Sequence, residues 1–326
     1  MKTAPLIDND EACRAQAAVG SELPVDAVTR VKFWGVRGSI PTPGPSTVFY
    51  GGNTSCIEVR TQGEIIILDA GSGIRPLGLA LKAEFGSEPI NLTVLITHTH
   101  WDHIQGFPFF LPAYESKNHI RVLGYEGARD GLRSTLSGQM ESPYFPIALN
   151  QMPSNMVIEE LKDMRFSIGP VAAQACFTNH PGVCVGYRLA TPGGSLVYMP
   201  DNETFLRNGV RANGQEEPST VESNLLEFVR DVDVLILDTQ YDTDEYEKHA
   251  GWGHGCVDEV VRLAVGANVK HLYLFHHDPL HDDDCVTGML GRARALALQL
   301  GSEIRIDAAI EGQTVELRPQ EARSRV

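Results

Sequence analysis

Apolar residues along this chain fall in short continuous runs, set apart by longer stretches with a helical period. EIIILDA (64–70), LTVLITH (92–98), SLVYMPD (195–201), DVLILD (233–238) and HLYLFHH (271–277) each hold three or four apolar residues in succession. Runs of that length, bounded by polar turns, predict strands buried on both faces. VKFWGV (31–36) and CIEVRT (56–61) predict two more strands, the second pairing with EIIILDA through a turn near Gln62-Gly63. SGIRPLGLALKAEF (72–85) sets Leu77, Leu81 and Phe85 four apart, a helix face. The stripe of Val221, Leu225, Phe228, Val229 and Val232 predicts a helix over 220–232, and others fall at about 257–267 and 284–300. The span 125–165 is less regular, with a helix expected before Pro143. RGSIPTPGPSTVFYGGNTS (37–55) reads as one long loop, and loops of that length are usually functional or disordered. Residues 1–30 carry no sustained period and read as an extension.

Five of the apolar runs end in a polar residue able to ligate or catalyse: Asp69, His98, Asp201, Asp238 and His276. In layered α/β folds, sites gather at the carboxyl ends of strands. Five such endings predict one shared rim.

Charge narrows the substrate. Lys plus Arg number 27 against 42 for Asp plus Glu, a formal net charge of −15. Nucleic-acid affinity depends on neutralising phosphates, so long nucleic acid is disfavoured. No apolar run approaches the ~20 residues of a membrane span. The first residues, MKTAPLIDNDEACRAQ, hold no apolar signal core, so the expected location is cytoplasmic. The six cysteines form no C-x-x-C pair and read as reduced, mostly buried thiols.

The densest chemistry is THTHWDH, residues 97–103. His98 and His100 lie two apart and share one side of extended backbone. Trp101 turns the chain, and Asp102 and His103 open a helix expected to run through IQGFPFF. Imidazoles with a carboxylate suit Zn²⁺, and also Mn²⁺ or Fe²⁺. Four such groups in six residues cannot all reach one small ion from a short turn, so two adjacent ions are the natural geometry.

This H-x-H-x-D-H run resembles the signature of the metallo-β-lactamase fold hydrolases. The resemblance implies a four-layer αββα sandwich over residues 31–318, with an N-terminal extension (1–30) and a C-terminal tail (319–326). Its satellites occur in order: FTNHPG supplies His180, YMPD supplies Asp201, and LFHHDP supplies His276 or His277. The resemblance implies one metal on His98, His100 and His180, and a second on Asp102, His103 and His276. Asp201 would bridge both. His276 is preferred to His277 because it directly ends the strand, and His277 is then a supporting or capping residue. The ions would be Zn²⁺ first, with Mn²⁺ or Fe²⁺ as alternatives.

Within that superfamily the chain looks most like the phosphodiesterase branch, which includes tRNA 3′-end endonucleases and class II cyclic-nucleotide phosphodiesterases. FWGVRGSIPTPG…YGGNTSC matches the branch's opening strand and Gly-rich loop. VDVLILDTQY offers Asp238 and GWGHGC offers His254, where the tRNA endonucleases carry a carboxylate–histidine pair. Gly255-Cys256 departs from the Ser-Thr usual there, and no basic insertion of the tRNA-gripping kind is present. The implied activity is hydrolysis of a small phosphodiester, 3′,5′-cyclic nucleotides foremost. A hydroxide made at the ions attacks, Asp102 or Asp201 takes the water's proton, and His254, oriented by Asp238, is the general acid. The alternatives are an RNA 3′-processing nuclease, a thioester or lactone hydrolase on the same core, and a non-catalytic or redox protein. The expected partner is a small phosphodiester with no membrane, and a homodimer is allowed. Asp69 is expected to support the metal turn. Asn53 and Thr54 are candidates for phosphate contact, and Trp252 and Phe107 for stacking or core. His281 with Asp282, Asp283 and Asp284 reads as a solvated helix cap. His119, His249 and His271 receive no role.

Overall fold

The computed structural model describes residues 27–125, 131–204 and 220–319. Among the described residues fourteen strands form two seven-stranded sheets. The first holds β1 (Thr29–Gly35), β2 (Cys56–Thr61), β3 (Glu64–Leu68), β4 (Asn91–Ile96), β5 (His119–Gly124), β6 (Asn155–Glu160) and, across the chain, β14 (Thr314–Leu317), which pairs with β1. The second holds β7 (Arg165–Ile168), β8 (Val171–Phe177), β9 (Val185–Thr191), β10 (Gly194–Met199), β11 (Val234–Asp238), β12 (His271–Phe275) and β13 (Arg305–Ala308). Among the described residues seven helices accompany them: α1 (Ile74–Phe85), α2 (Trp101–Ile104), α3 (Gly131–Gly138), α4 (Thr220–Val229), α5 (Thr243–His249), α6 (Val257–Gly266) and α7 (Asp283–Gln299).

Period-two alternation explains the continuous apolar runs. In β11, Val234 and Ile236 enter the core between the sheets, whereas Leu235 and Leu237 enter a second core under α4, α6 and α7. In β3, Ile66 and Leu68 face the inter-sheet core, while Ile65 and Ile67 join a third core under α1 and α3. Three cores separate four layers, the αββα sandwich. Full burial of each such side chain stabilises by about 1.5–3 kcal/mol.

The chain's departures from the pattern have local causes. The helix expected from Asp102 through IQGFPFF stops at Ile104, and short 3-10 turns at Phe107–Phe109 and Leu111–Tyr114 follow, each with a proline in its first turn. Strands β5 to β9, β13 and β14 were not expected; in β6 no residue is wholly buried, and its apolar residues Met156, Val157 and Ile158 run directly into two glutamates. Residues 1–26, which include most of the expected extension and Cys13, and residues 320–326 of the tail lie outside the described residues, as does the side chain of Val221. The remaining five cysteines are free thiols. Among the described residues no helix is long and apolar enough to cross a membrane.

Parallel pairing carries the site. β3 runs parallel to β4, and β10, β11 and β12 are mutually parallel. Their carboxyl ends therefore lie together on each sheet, and the two sets converge on one rim.

Candidate metal centre

Two strand ends turn through left-handed backbone at once. Asp69 follows β3 with φ 62°, and His276 follows β12 with φ 63°. Such conformations cost a non-glycine residue on the order of 1–3 kcal/mol and persist where surroundings hold them. Both side chains are wholly buried.

The ligand-type atoms meet in two groups. In the first, His180 Nε2 lies 3.0 Å from His100 Nδ1, and Asp201 Oδ2 lies 3.5 Å from His180 Nε2 and 3.7 Å from His98 Nε2. In the second, Asp102 Oδ2 is 3.2 Å from His103 Nε2 and 3.1 Å from His276 Nε2. Asp201 Oδ1 is 3.0 Å from His103 Nε2 and 3.3 Å from His276 Nε2. Each group could hold one cation, and Asp201 turns one oxygen toward each. His277 stays outside: its Nε2 donates to the Ala309 carbonyl at 3.0 Å.

The donor set fits metal. His98 Nε2, His103 Nε2 and Asp201 Oδ1 are buried without a hydrogen-bond partner among the described residues. Three convergent orphaned donors would be costly unless something electrophilic satisfied them. Protonation states agree. Burial, reinforced by neighbouring imidazoles, pushes His98 well below its usual pKa and lowers His100. Asp102 and Asp201 sit well below the carboxylate range, the imidazoles opposite them outweighing burial. His103 goes well above its usual value: burial opposes its charge, but Asp102, Asp201 and Asp69 surround it.

Other side chains and one backbone amide hold the candidate ligands in place. The Asp69 carboxylate meets His103 Nδ1 at 2.8 Å and accepts from Thr97 and from Tyr198 Oη, the supporting role expected of it. Gln240 Oε1 lies 2.9 Å from His276 Nδ1, and the Ser39 amide donates to Asp102 Oδ2 at 2.8 Å. Gln240 and Ser39 left no sequence signal beyond, for Ser39, the length of its loop.

Asp238 and His254 stand beside the ligand groups. His254 Nδ1 is 2.9 Å from Asp238 Oδ2 and 3.9 Å from Asp201 Oδ2. Burial works against its charge, yet Asp238 and Asp201 raise the ring to about 9; two seated cations would oppose that charge. His254 also lies close enough to Asp201 and His276 to belong to a ligand group, but its Nδ1 is engaged by Asp238. At the departure from Ser-Thr, Gly255 packs against the Asp238 carbonyl with no room for a Cβ, and Cys256 precedes α6 without a side-chain cap bond.

Other candidates are used internally. Asn53 and Thr54 bond Glu311, Ser72 and Gln105, and Phe107 is core. Trp252 is 59% exposed, so it remains available to a ligand. His281 is buried rather than solvated, with Nε2 2.8 Å from Glu245 and its carbonyl accepting from Arg37.

Adjoining His/Asp groups able to hold metal on the carboxyl rim of an αββα sandwich define a class, and the comparisons agree. The family profile of the β-lactamase superfamily domain matches residues 65–277. The chain belongs to that superfamily and is a metal-dependent hydrolase of the metallo-β-lactamase fold. It is similar to a Ribonuclease Z of Metallosphaera sedula, 26% identical over 272 residues, 73% of this chain and 86% of that one. Unliganded yeast PDE1 superposes with a TM-score of 0.64 at 15% identity, covering 88% of this chain and 99% of that one. The short form of human tRNase Z superposes at 0.59 with 18% identity, covering 88% and 99%. At those identities the two structures bear on the fold alone.

Proposed function

We propose that the chain is a dinuclear phosphodiesterase of small phosphodiesters, 3′,5′-cyclic nucleotides foremost, with His254 as general acid. The observation that carries this is the Asp238–His254 pair, 2.9 Å apart at the edge of the ligand groups. His98, His100 and His180 would hold one ion and Asp102, His103 and His276 the other, with Asp201 between them; Zn²⁺ suits these donors best, Mn²⁺ or Fe²⁺ next. When bound, the ions supply a Lewis acid for phosphate oxygens and lower the pKa of water. The chain's own residues do the rest. Asp102, steadied by the Ser39 amide, takes the attacking water's proton. Asp238 fixes the His254 ring through Nδ1, which leaves Nε2 to carry a proton to the departing ribose oxygen. That oxygen leaves as a strongly basic alkoxide, so acid assistance matters, typically ~10²–10⁴-fold.

A second reading, an RNA 3′-processing nuclease, is favoured by the 26% identity to Ribonuclease Z. The formal net charge of −15 argues against a long polyanion. A thioester hydrolase would leave the Asp238–His254 pair without a task. The test pairs His254→Ala with two leaving groups. Turnover of a cyclic nucleotide should fall ~10²–10⁴-fold, while bis(p-nitrophenyl) phosphate, whose phenolate leaves unprotonated, should lose far less. Equal loss on both would remove the acid role. Faster turnover of pre-tRNA than of any cyclic nucleotide would favour the nuclease.

A further inference from the structure

We infer that Glu203 is a positioning residue whose carboxylate clamps the turn carrying both His254 and the carbonyl that orients His180. The inference rests on the reading of His254 as general acid.

Glu203 lies two residues beyond Asp201, is 8% exposed, and joins neither ligand group. Its Oε1 accepts from Tyr246 Oη at 2.6 Å and from the Gly251 amide at 2.8 Å. Its Oε2 accepts from the Gly253 amide at 3.0 Å and again from Gly251 at 3.1 Å. An ionised carboxylate only accepts, so it matches three donors facing it, and bonds to a charged acceptor are the stronger kind. The turn needs such a tie. Gly251 and Gly253 both have left-handed backbone, φ 88° and 87°. Glycines reach that region freely but leave it as freely.

What the clamp fixes is chemical. The Gly253 carbonyl lies 2.9 Å from His180 Nδ1, and a Cβ on Gly253 would come within 2.6 Å of the same atom. The next residue is His254, whose ring meets Asp238. Glu203 is itself anchored on the other side of His180: its amide donates to the Asn179 carbonyl at 2.8 Å, and Asn179 Nδ2 donates to the Glu203 carbonyl at 3.1 Å. One side chain thus sets a ligand and the acid relative to each other.

Glu203→Gln keeps the shape but turns an NH₂ toward backbone N–H groups, which breaks one half of the clamp. The measurement is the ratio of cyclic-nucleotide to bis(p-nitrophenyl) phosphate turnover in Glu203→Gln, His254→Ala and the double variant, with amide hydrogen exchange at Gly251 and Gly253 in the metal-free chain. The ratio should fall about 10–100-fold in Glu203→Gln, the range for lost orienting partners. Exchange at both glycines should quicken, and Glu203→Gln should add nothing to the ratio once His254 is alanine. Tyr246→Phe, which leaves both backbone bonds, should move the ratio the same way by less, and serves if Glu203→Gln does not fold. Equal loss on both substrates, unchanged exchange, or an additive loss in the double variant would overturn the inference while sparing His254. If His254→Ala alone leaves the ratio untouched, the general-acid reading falls and this inference with it.

Discussion

The two halves of the centre reach the same rim by different routes. The amino-terminal half delivers His98, His100, Asp102 and His103 from a single turn after β4. The carboxyl-terminal half delivers His180, Asp201, Asp238, His254 and His276 one at a time, from the loop after β8, β10, β11, the loop before α6 and β12. In the first half the backbone turn alone fixes ligand spacing. In the second, parallel register sets Asp201, Asp238 and His276, with Met199 beside Leu237 and Asp238 beside Phe275. The supports differ too. A wholly buried charge, Asp69, braces the turn, whereas the neutral Gln240 braces His276. His103 in the compact motif is thus braced by a carboxyl group, and His276 in the dispersed set by a neutral amide.

The largest expected effect joins the halves. Asp201→Ala should reduce metal content at both groups and lower turnover by more than ~100-fold, beyond the usual loss for an orienting partner. Metal analysis by mass spectrometry checks it. Full metal content would mean that the halves bind independently.

Asp69→Asn tests the bracing contrast. It keeps the shape and removes the charge facing His103 Nδ1, so metal retention against a chelator should weaken roughly 10–100-fold. Gln240→Met, which removes a neutral acceptor from His276, should weaken it only several-fold, since bonds to charged groups are about twice as strong. The reverse order would overturn the comparison.

Gly38→Ala probes the interface between the long loop and His276. A Cβ at Gly38 would enter the His276 ring, whereas at Gly44 it meets nothing within 4 Å. Gly38→Ala should cost about 1–3 kcal/mol, as overpacking does, with reduced metal content, while Gly44→Ala should be neutral. Denaturant midpoints on both variants settle it.

The same contrast decides what was legible in the sequence. The turn announced itself because four ligand-type residues in six positions have no ordinary structural reason. Asp201, Asp238 and His276 were legible because each ends an apolar run, and the rim they predict is where the strands place them. Asn155–Glu160 was not, since this edge strand carries only Met156, Val157 and Ile158 before two glutamates, with Val157 exposed and its neighbours half-buried. Gln240, Glu203 and Ser39 were not, because a neutral side chain, a loop carboxylate and a backbone amide act through geometry alone. The cap after His281 was read in part: Asp282 does cap α7 from an exposed position, but His281 itself is buried, with Arg37 donating to its carbonyl.

The smallest effect lies on the strand that ends in His276. His271 opens β12 at the opposite, amino end, with Nε2 2.9 Å from Asp307. Burial, aided by Arg305, pushes its pKa down to about 4 despite that carboxylate. The unfolded chain titrates this side chain near ~6.5. Between those values the unfolded state binds a proton that the folded state refuses, so stability is whole above ~6.5 and declines as pH falls toward about 4. The full span is on the order of 1–3 kcal/mol. Metal release would confound the measurement, because ligands protonate in the same range. Urea midpoints of the metal-free chain at pH 7 and pH 5 avoid this. His271→Gln should flatten the difference by the His271 share and leave metal content at pH 7 untouched. If it lowered metal content instead, the amino end of β12 would belong to the chemistry, and the division between a functional carboxyl rim and a structural amino end would fail.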